Sequence, residues 1–166
     1  MNVTSTGIIN GMIQDQYGGH GTQFNINNVP TYSLPFKVDH APPETVSFAI
    51  VLEDKDAYPV TKGFVWIHWL AANITRSEIQ DNESQTAKDF IQGQNSWTSI
   101  QGGEQSVELS CHYGGMTPPD KPHLYELHVF ALDKKLNLSS GFLLNELYQE
   151  MDGHILDIDT LKGIYS

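Results

Sequence analysis

Two short stretches of this chain set ionisable side chains beside residues that fix backbone shape. In the first, Asp54 and Asp56 flank Lys55, and His68-Trp69 follows about one strand's length later. The second is Tyr113-Gly114-Gly115-Met116-Thr117-Pro118-Pro119, with His123-Leu124-Tyr125 just beyond it. Brought together by a fold, they would form a small polar pocket with two imidazoles, carboxylates and turn amides. That combination suits an anion of the phosphate kind or a metal ion.

Each residue also has a plainer reading. Asp54 and Asp56 could simply hold a turn by accepting backbone N–H bonds. On an extended backbone they point to opposite sides, so one can serve a site while the other serves the turn. A carboxylate facing a histidine raises the pKa of the ring and favours a cation that can pair with an anion. His68 lies in an otherwise apolar run, where an imidazole is more often structural than a ligand. In either role its nitrogens need partners. His123 sits where a proline-stiffened loop meets a strand, a common place for a binding group. Gly114 and Gly115 permit close backbone approach, but no phosphate-loop pattern accompanies them.

Three rival constellations fare worse. A zinc site drawn from His68, His112, His123 and Asp54 has neither an HExxH pattern nor a close Cys/His pair, so no metal and no cofactor is expected. Cys111 and His112, as neighbours on extended backbone, would face apart and make a poor nucleophile pair. No Gly-x-Ser-x-Gly elbow supports a serine nucleophile.

The elements that must position these groups are mostly strands. Residues 46–53 (VSFAIVLE) read as a buried strand, followed by a polar break. Residues 64–74 (FVWIHWLAANI) read as another. Residues 125–132 alternate Tyr125, Leu127, Val129 and Ala131 against Glu126, His128 and Phe130, a period of two. The first forty residues read as irregular and β-rich. Leu143, Leu147 and Met151 fall at helical spacing, with Ser139 or Ser140 as the cap and Gly153 as the stop. A second short helix is expected over 84–92, ending near Gly93. The result is a mainly β, sandwich-type domain with a few short peripheral helices. A ferredoxin-like α+β fold would need more helix.

With 166 residues, the chain is expected to form one domain burying about two thirds of its unfolded surface. Its net charge of −11 repels nucleic acid and anionic lipid, and no basic stripe offsets it. No apolar run approaches the roughly 18 residues of a membrane span, so no integral membrane association is expected. The N-terminus lacks the basic start and apolar core of a secretory signal. The single Cys111 cannot close an intrachain disulfide, and a cytoplasmic protein is the expectation.

Together the segments resemble the phosphatidylethanolamine-binding protein (PEBP) family, most closely its bacterial and archaeal, Raf-kinase-inhibitor-like branch. LEDKDA resembles the family's Asp-Pro-Asp-Ala-Pro segment, and FVWIHWLAANI its strand containing His-Trp. YGGMTPPDKPHLYELHVFALD resembles the Gly-x-x-Pro-Pro…His-x-Tyr stretch, and MDGHILDIDTLKGIY the branch's C-terminal ending. The resemblance implies an anion pocket near the surface lined by Asp54, His68, Gly115, Pro119, His123 and Tyr125, with Asp56 behind it as a turn former. It implies a non-enzymatic protein that binds phosphate or a phosphoethanolamine-like headgroup and modulates or inhibits a protein partner. Some bacterial relatives form homodimers, and nothing in this sequence marks a dimer face. The alternative is a phosphoester hydrolase with a His–Asp or metal site. Lys55 departs from the family's internal proline, Met116 and Thr117 from its Gly/Pro-rich loop, and Leu124 from the Arg of His-Arg-Tyr.

Overall fold

The computed structural model describes residues 1–166. Its strands are β1 (Asn2–Thr4), β2 (Ile8–Ile9), β3 (Met12–Ile13), β4 (Phe36–Asp39), β5 (Ser47–Asp54), β6 (Trp66–Ile74), β7 (Glu78–Ile79), β8 (Ile91–Gly93), β9 (His123–Leu132) and β10 (Ile155–Tyr165). Four short helices accompany them: α1 (Tyr58–Thr61), α2 (Glu83–Thr86), α3 (Val107–Ser110) and α4 (Leu144–Met151). The strands form a seven-stranded sheet in the order β2-β3-β10-β9-β5-β6-β8 and a three-stranded sheet, β1-β4-β7. This is the mainly β, sandwich-type architecture that the β-branched runs predict.

Strand alternation decides which core each residue joins. On β9, Tyr125, Leu127, Val129 and Ala131 join the core that also holds Val3, Phe36, Val38 and Ile79 of the small sheet. Phe130 and Leu132 enter a second core on the other face, closed by Leu147 and Met151 of α4. β5 lies between β6 and β9 and is buried along its whole length, because both of its faces are covered.

The helix over 143–151 forms, with a different cap. Leu143 takes the cap position, and its N–H donates to the Glu146 carboxylate at 2.7 Å. The expected helix over 84–92 shrinks to α2, and Ile91–Gly93 becomes a strand on β6. Tertiary bonds override local propensity there. The buried Gln92 amide accepts from Trp69 Nε1 at 2.7 Å and from Ser84 Oγ at 2.6 Å, and it donates to the Ser84 carbonyl at 2.9 Å. β10, the longest strand, pairs with β9 along most of its length and was not among the expected strands. Its acids hold the N-terminus in place: Asp157 accepts from the Met1 ammonium at 2.7 Å, and Asp159 from the Val3 N–H at 2.6 Å.

Candidate functional site

Asp54 ends β5 and faces Tyr125 across the β5–β9 ladder, near the start of β9 at His123. By alternation, Asp54, His123 and Tyr125 all point to the inner side of the large sheet, with Leu52 and Leu127. A regular β6 would turn His68 away from them, because its neighbour Trp69 already faces inward. A β-bulge corrects this. Leu52 pairs with Trp69 but Glu53 pairs with Ile67, which leaves His68 as the extra residue. The bulge sets His68 on the same side as Trp69, and bulges next to sites commonly re-aim a side chain in this way.

These groups surround a cavity of about 220 Å³ lined by Asp54, Trp66, His68, Trp97, His123 and Tyr125, with Thr117, Pro118 and Pro119 on its loop side. The Trp97 ring stands edge-on to both Trp66 and His68, with centroids at 5.1 and 5.3 Å. Gly114 must be glycine, because a Cβ there would run into the Trp97 ring.

The two imidazoles differ in charge. His68 is buried at the cavity wall, and its Nδ1–H donates to the Gly114 carbonyl at 2.7 Å. Burial pulls its pKa down to about 4, against the pull of Asp54 and of that carbonyl. The ring is therefore neutral at pH 7, and Nε2, which has no protein partner, offers a lone pair. Burial also lowers the pKa of His123, but hydrogen bonds to two carboxylates outweigh it and leave it raised. Nδ1 meets Asp54 Oδ2 at 2.7 Å, and Nε2 meets Asp120 Oδ1 at 2.7 Å. Asp54 is fixed from behind, since its Oδ1 accepts the Asp56 N–H at 2.7 Å. The Tyr125 hydroxyl makes no protein hydrogen bond, and burial raises its pKa, so it stays a donor.

Asp54, His68, Pro119, His123 and Tyr125 thus come together around one cavity. Asp56 stands behind them, where its carboxylate accepts the Leu124 N–H at 3.0 Å. Gly115 does not line the cavity. It packs beneath, donating its N–H to the Pro30 carbonyl at 2.8 Å, and a Cβ there would lie 2.6 Å from the Tyr17 carbonyl oxygen. The Gly114 amide is likewise taken, by the His68 carbonyl at 2.9 Å. The turn amides of both glycines therefore build the wall rather than face a ligand. His112 lies elsewhere, bonded to the Ser84 carbonyl at 3.0 Å.

Sequence reasoning missed Trp97, Gln101 and Gly102, which also line the cavity. The one available signal was Trp97 itself, a large aromatic in the polar stretch Asn-Ser-Trp-Thr-Ser. On the outer face of the same strands lies a second ionisable group. Glu53, Glu126 and His128 are close enough to share an ion, but the ammonium groups of Lys55 and Lys162 already bridge their carboxylates. No helix is long and apolar enough to cross a membrane.

Comparison with known proteins agrees with the fold. Residues 4–166 match the sequence profile of the phosphatidylethanolamine-binding protein family. The chain is 43% identical over 151 residues to YxkA of Bacillus subtilis, covering 89% of each protein. It is 33% identical over 134 residues to a UPF0098 protein of Chlamydia trachomatis, covering 80% of this chain and 81% of the other. The crystal structure of a Chlamydia trachomatis PEBP homologue, CT736, superposes with a TM-score of 0.79 at 27% identity, over 99% of this chain and 95% of that one. Escherichia coli YbcL shares the fold, with a TM-score of 0.74 at 22% identity over 99% of this chain and 97% of that one. With the profile spanning nearly the whole chain and relatives in both bacteria and archaea, this protein belongs to the phosphatidylethanolamine-binding protein family, in its bacterial and archaeal branch.

Proposed function

We propose that the cavity binds, without turnover, a small oxyanion of the phosphate class, with a phosphoethanolamine-like headgroup as the best-fitting form. One observation carries the reading. The buried Asp54 carboxylate holds His123 as a cation beside the partnerless Tyr125 hydroxyl, at the floor of a cavity sized for a small ligand.

The donors and acceptors favour one protonation state of that ligand. His68 presents a lone pair and Asp54 a carboxylate, so a fully deprotonated phosphate would face two acceptors. A monoester that retains its P–OH can donate to one of them while another of its oxygens accepts from the Tyr125 hydroxyl. Trp66 and Trp97 line the same cavity, and aromatic rings there suit the ammonium of a headgroup. A phosphorylated side chain presents the same group, so recognition of a modified protein segment would use the same contacts.

The hydrolase reading has less support. Both His123 nitrogens are bonded to carboxylates, and the one ring nitrogen left with a lone pair, His68 Nε2, belongs to a ring whose pKa burial pulls down to about 4, a weak base at neutral pH.

Histidine side-chain NMR during titration with phosphoethanolamine, and with inorganic phosphate as comparison, tests the proposal. Saturable shifts at His68 and His123 are expected, stronger for phosphoethanolamine. For phosphoethanolamine the affinity should fall as pH rises past the monoester's second pKa of about 6. Silence from both rings at millimolar ligand would sink the reading.

A further inference from the structure

The two carboxylates that share the His123 ring are not equivalent. Asp54 is buried, and its second oxygen is fixed by the Asp56 amide. Asp120 is 41% exposed at its side chain and makes one side-chain bond, to His123 Nε2 at 2.7 Å. That bond takes the second N–H of the ring from the loop side: Asp120 directly follows Pro118 and Pro119, which line the cavity with His123, but does not itself line it. His123 itself is only 1% exposed. The ring lines the cavity but has no N–H left for a ligand.

Resting on the reading of the cavity as an oxyanion site, we infer that Asp120 is a built-in competitor for the ligand: its carboxylate occupies the place of a ligand oxygen on His123 Nε2 and must swing out for tight binding. The contact has the chemistry of a ligand contact, a carboxylate oxygen accepting from an imidazole N–H. It is also cheap to break. Asp120 lies at the surface, and a half-exposed ion pair holds its partners weakly. The loop geometry confines the movement. Pro118 and Pro119 before it and Pro122 after it fix the flanking backbone, so a rotation of the Asp120 side chain is enough to uncover the N–H. Asp54 remains bonded to Nδ1 throughout and keeps the ring oriented.

The consequence is a site whose affinity is held down and whose ligand must offer an acceptor oxygen. Neutral or purely cationic ligands do not replace Asp120 and gain nothing from its departure. This assigns to Asp120 a control over affinity that is separate from the residues forming the cavity wall.

Titration of inorganic phosphate into the full chain at about 0.15 M salt tests this, using wild type, Asp120→Ala, Asp120→Asn and Asp152→Asn. Asp152 is exposed and its side chain makes no hydrogen bond, so it controls for the general loss of one negative charge. Asp120→Ala should tighten phosphate binding by about three- to tenfold, Asp120→Asn by less, and Asp152→Asn by under twofold. In the free protein, the His123 Nε2 proton should exchange faster in Asp120→Ala than in wild type. Equal or weaker phosphate binding by Asp120→Ala, with wild type still binding, would overturn the competitor and leave the anion pocket standing. An equal gain in Asp152→Asn would reduce the effect to net charge and also overturn it. Failure of both wild type and Asp120→Ala to bind would overturn the two readings together.

Discussion

Near the junction of β5 and β9, successive residues face opposite sides of the large sheet, and the two sides treat charge differently. Inward lie Asp54, His123 and Tyr125, with His68 added by the bulge. Outward lie Glu53, Glu126 and His128. On the outer side every group is matched. Glu126 accepts from Lys55 and Lys162, Glu53 from Lys55 and His128, and His128 also meets Thr160 at 2.8 Å. On the inner side there is a cavity, a hydroxyl without a partner and a neutral imidazole with a free lone pair. The same residue types make a structural network where their bonding is complete and a candidate site where it is not.

The largest effect that would break this contrast is expected from Asp54→Ala. It removes one member of a buried pair and leaves His123 beneath its neighbours with a single carboxylate. Losing half of such a pair costs about 3–5 kcal/mol, and phosphate binding should go with it. Urea unfolding gives the first quantity and the phosphate titration the second. A loss under about 1 kcal/mol, with binding retained, would mean that Asp54 is merely a turn residue.

Next in size is the acid response, which separates the two faces by pH window. The folded pKa of His68 is depressed to about 4. Between about 6.5 and 4 the unfolded chain binds a proton there that the folded chain does not. Stability therefore falls as pH drops through that window, by roughly 3 kcal/mol in full. His123 acts in the opposite direction. Its folded pKa is raised, so its contribution is complete below about 6.5 and is lost as pH rises through the folded value. In His68→Gln the fall in unfolding midpoint between pH 6.5 and 4.5 should be much smaller than in wild type. An unchanged slope would remove the claim that a buried neutral ring sits in the site.

How much of this was legible in the sequence depended on the range of the deciding interaction. β5 and β9 could be read because their β-branched and alternating residues carry the pattern locally. The aim of His68 could not, because it depends on one unpaired residue in the register between β5 and β6. Strand β10 was missed because its alternation is inverted: Asp157 and Asp159 take the inward positions, where their partners come from the other end of the chain, while Ile158 and Ile164 face out. Residues 84–92 looked helical until Gln92 was placed among Trp69 and Ser84. The identities of Asp54, His68, Pro119, His123 and Tyr125 were accessible from motif order. The failure of Gly115 to face the cavity, and the capture of His123 by Asp120, required coordinates.

A smaller effect belongs to the outer face. Hydrogen bonds from Lys162 and Lys55 hold the Glu126 carboxyl at a pKa of about 2. Its contribution is complete above about 4.5 and is lost as pH falls through the folded value, below the His68 window. The lysine ends are more than half exposed, so solvent screening limits Glu126→Gln to about 1 kcal/mol. That variant should lose its stability difference from wild type in strong acid and bind phosphate within twofold of wild type. A collapse of phosphate binding would show that the two faces are coupled.

The smallest effect is the sharpest test of the contrast. Leu124 stands between two inward-facing residues, His123 and Tyr125, at the position where the family pattern has Arg. By alternation its side chain points outward, opposite Ile164 on β10, and it is 38% exposed. Its backbone, not its side chain, serves the site region through the bond to Asp56. Leu124→Arg should therefore leave stability within about 0.5 kcal/mol and change phosphate affinity by less than twofold. Its small gain should disappear at high salt, because a screened charge on the far side of the sheet is all it adds. A tenfold gain that survives salt would place the new guanidinium in the cavity. The separation of a matched outer face from an open inner one would then fail at the strand end where it is drawn most closely.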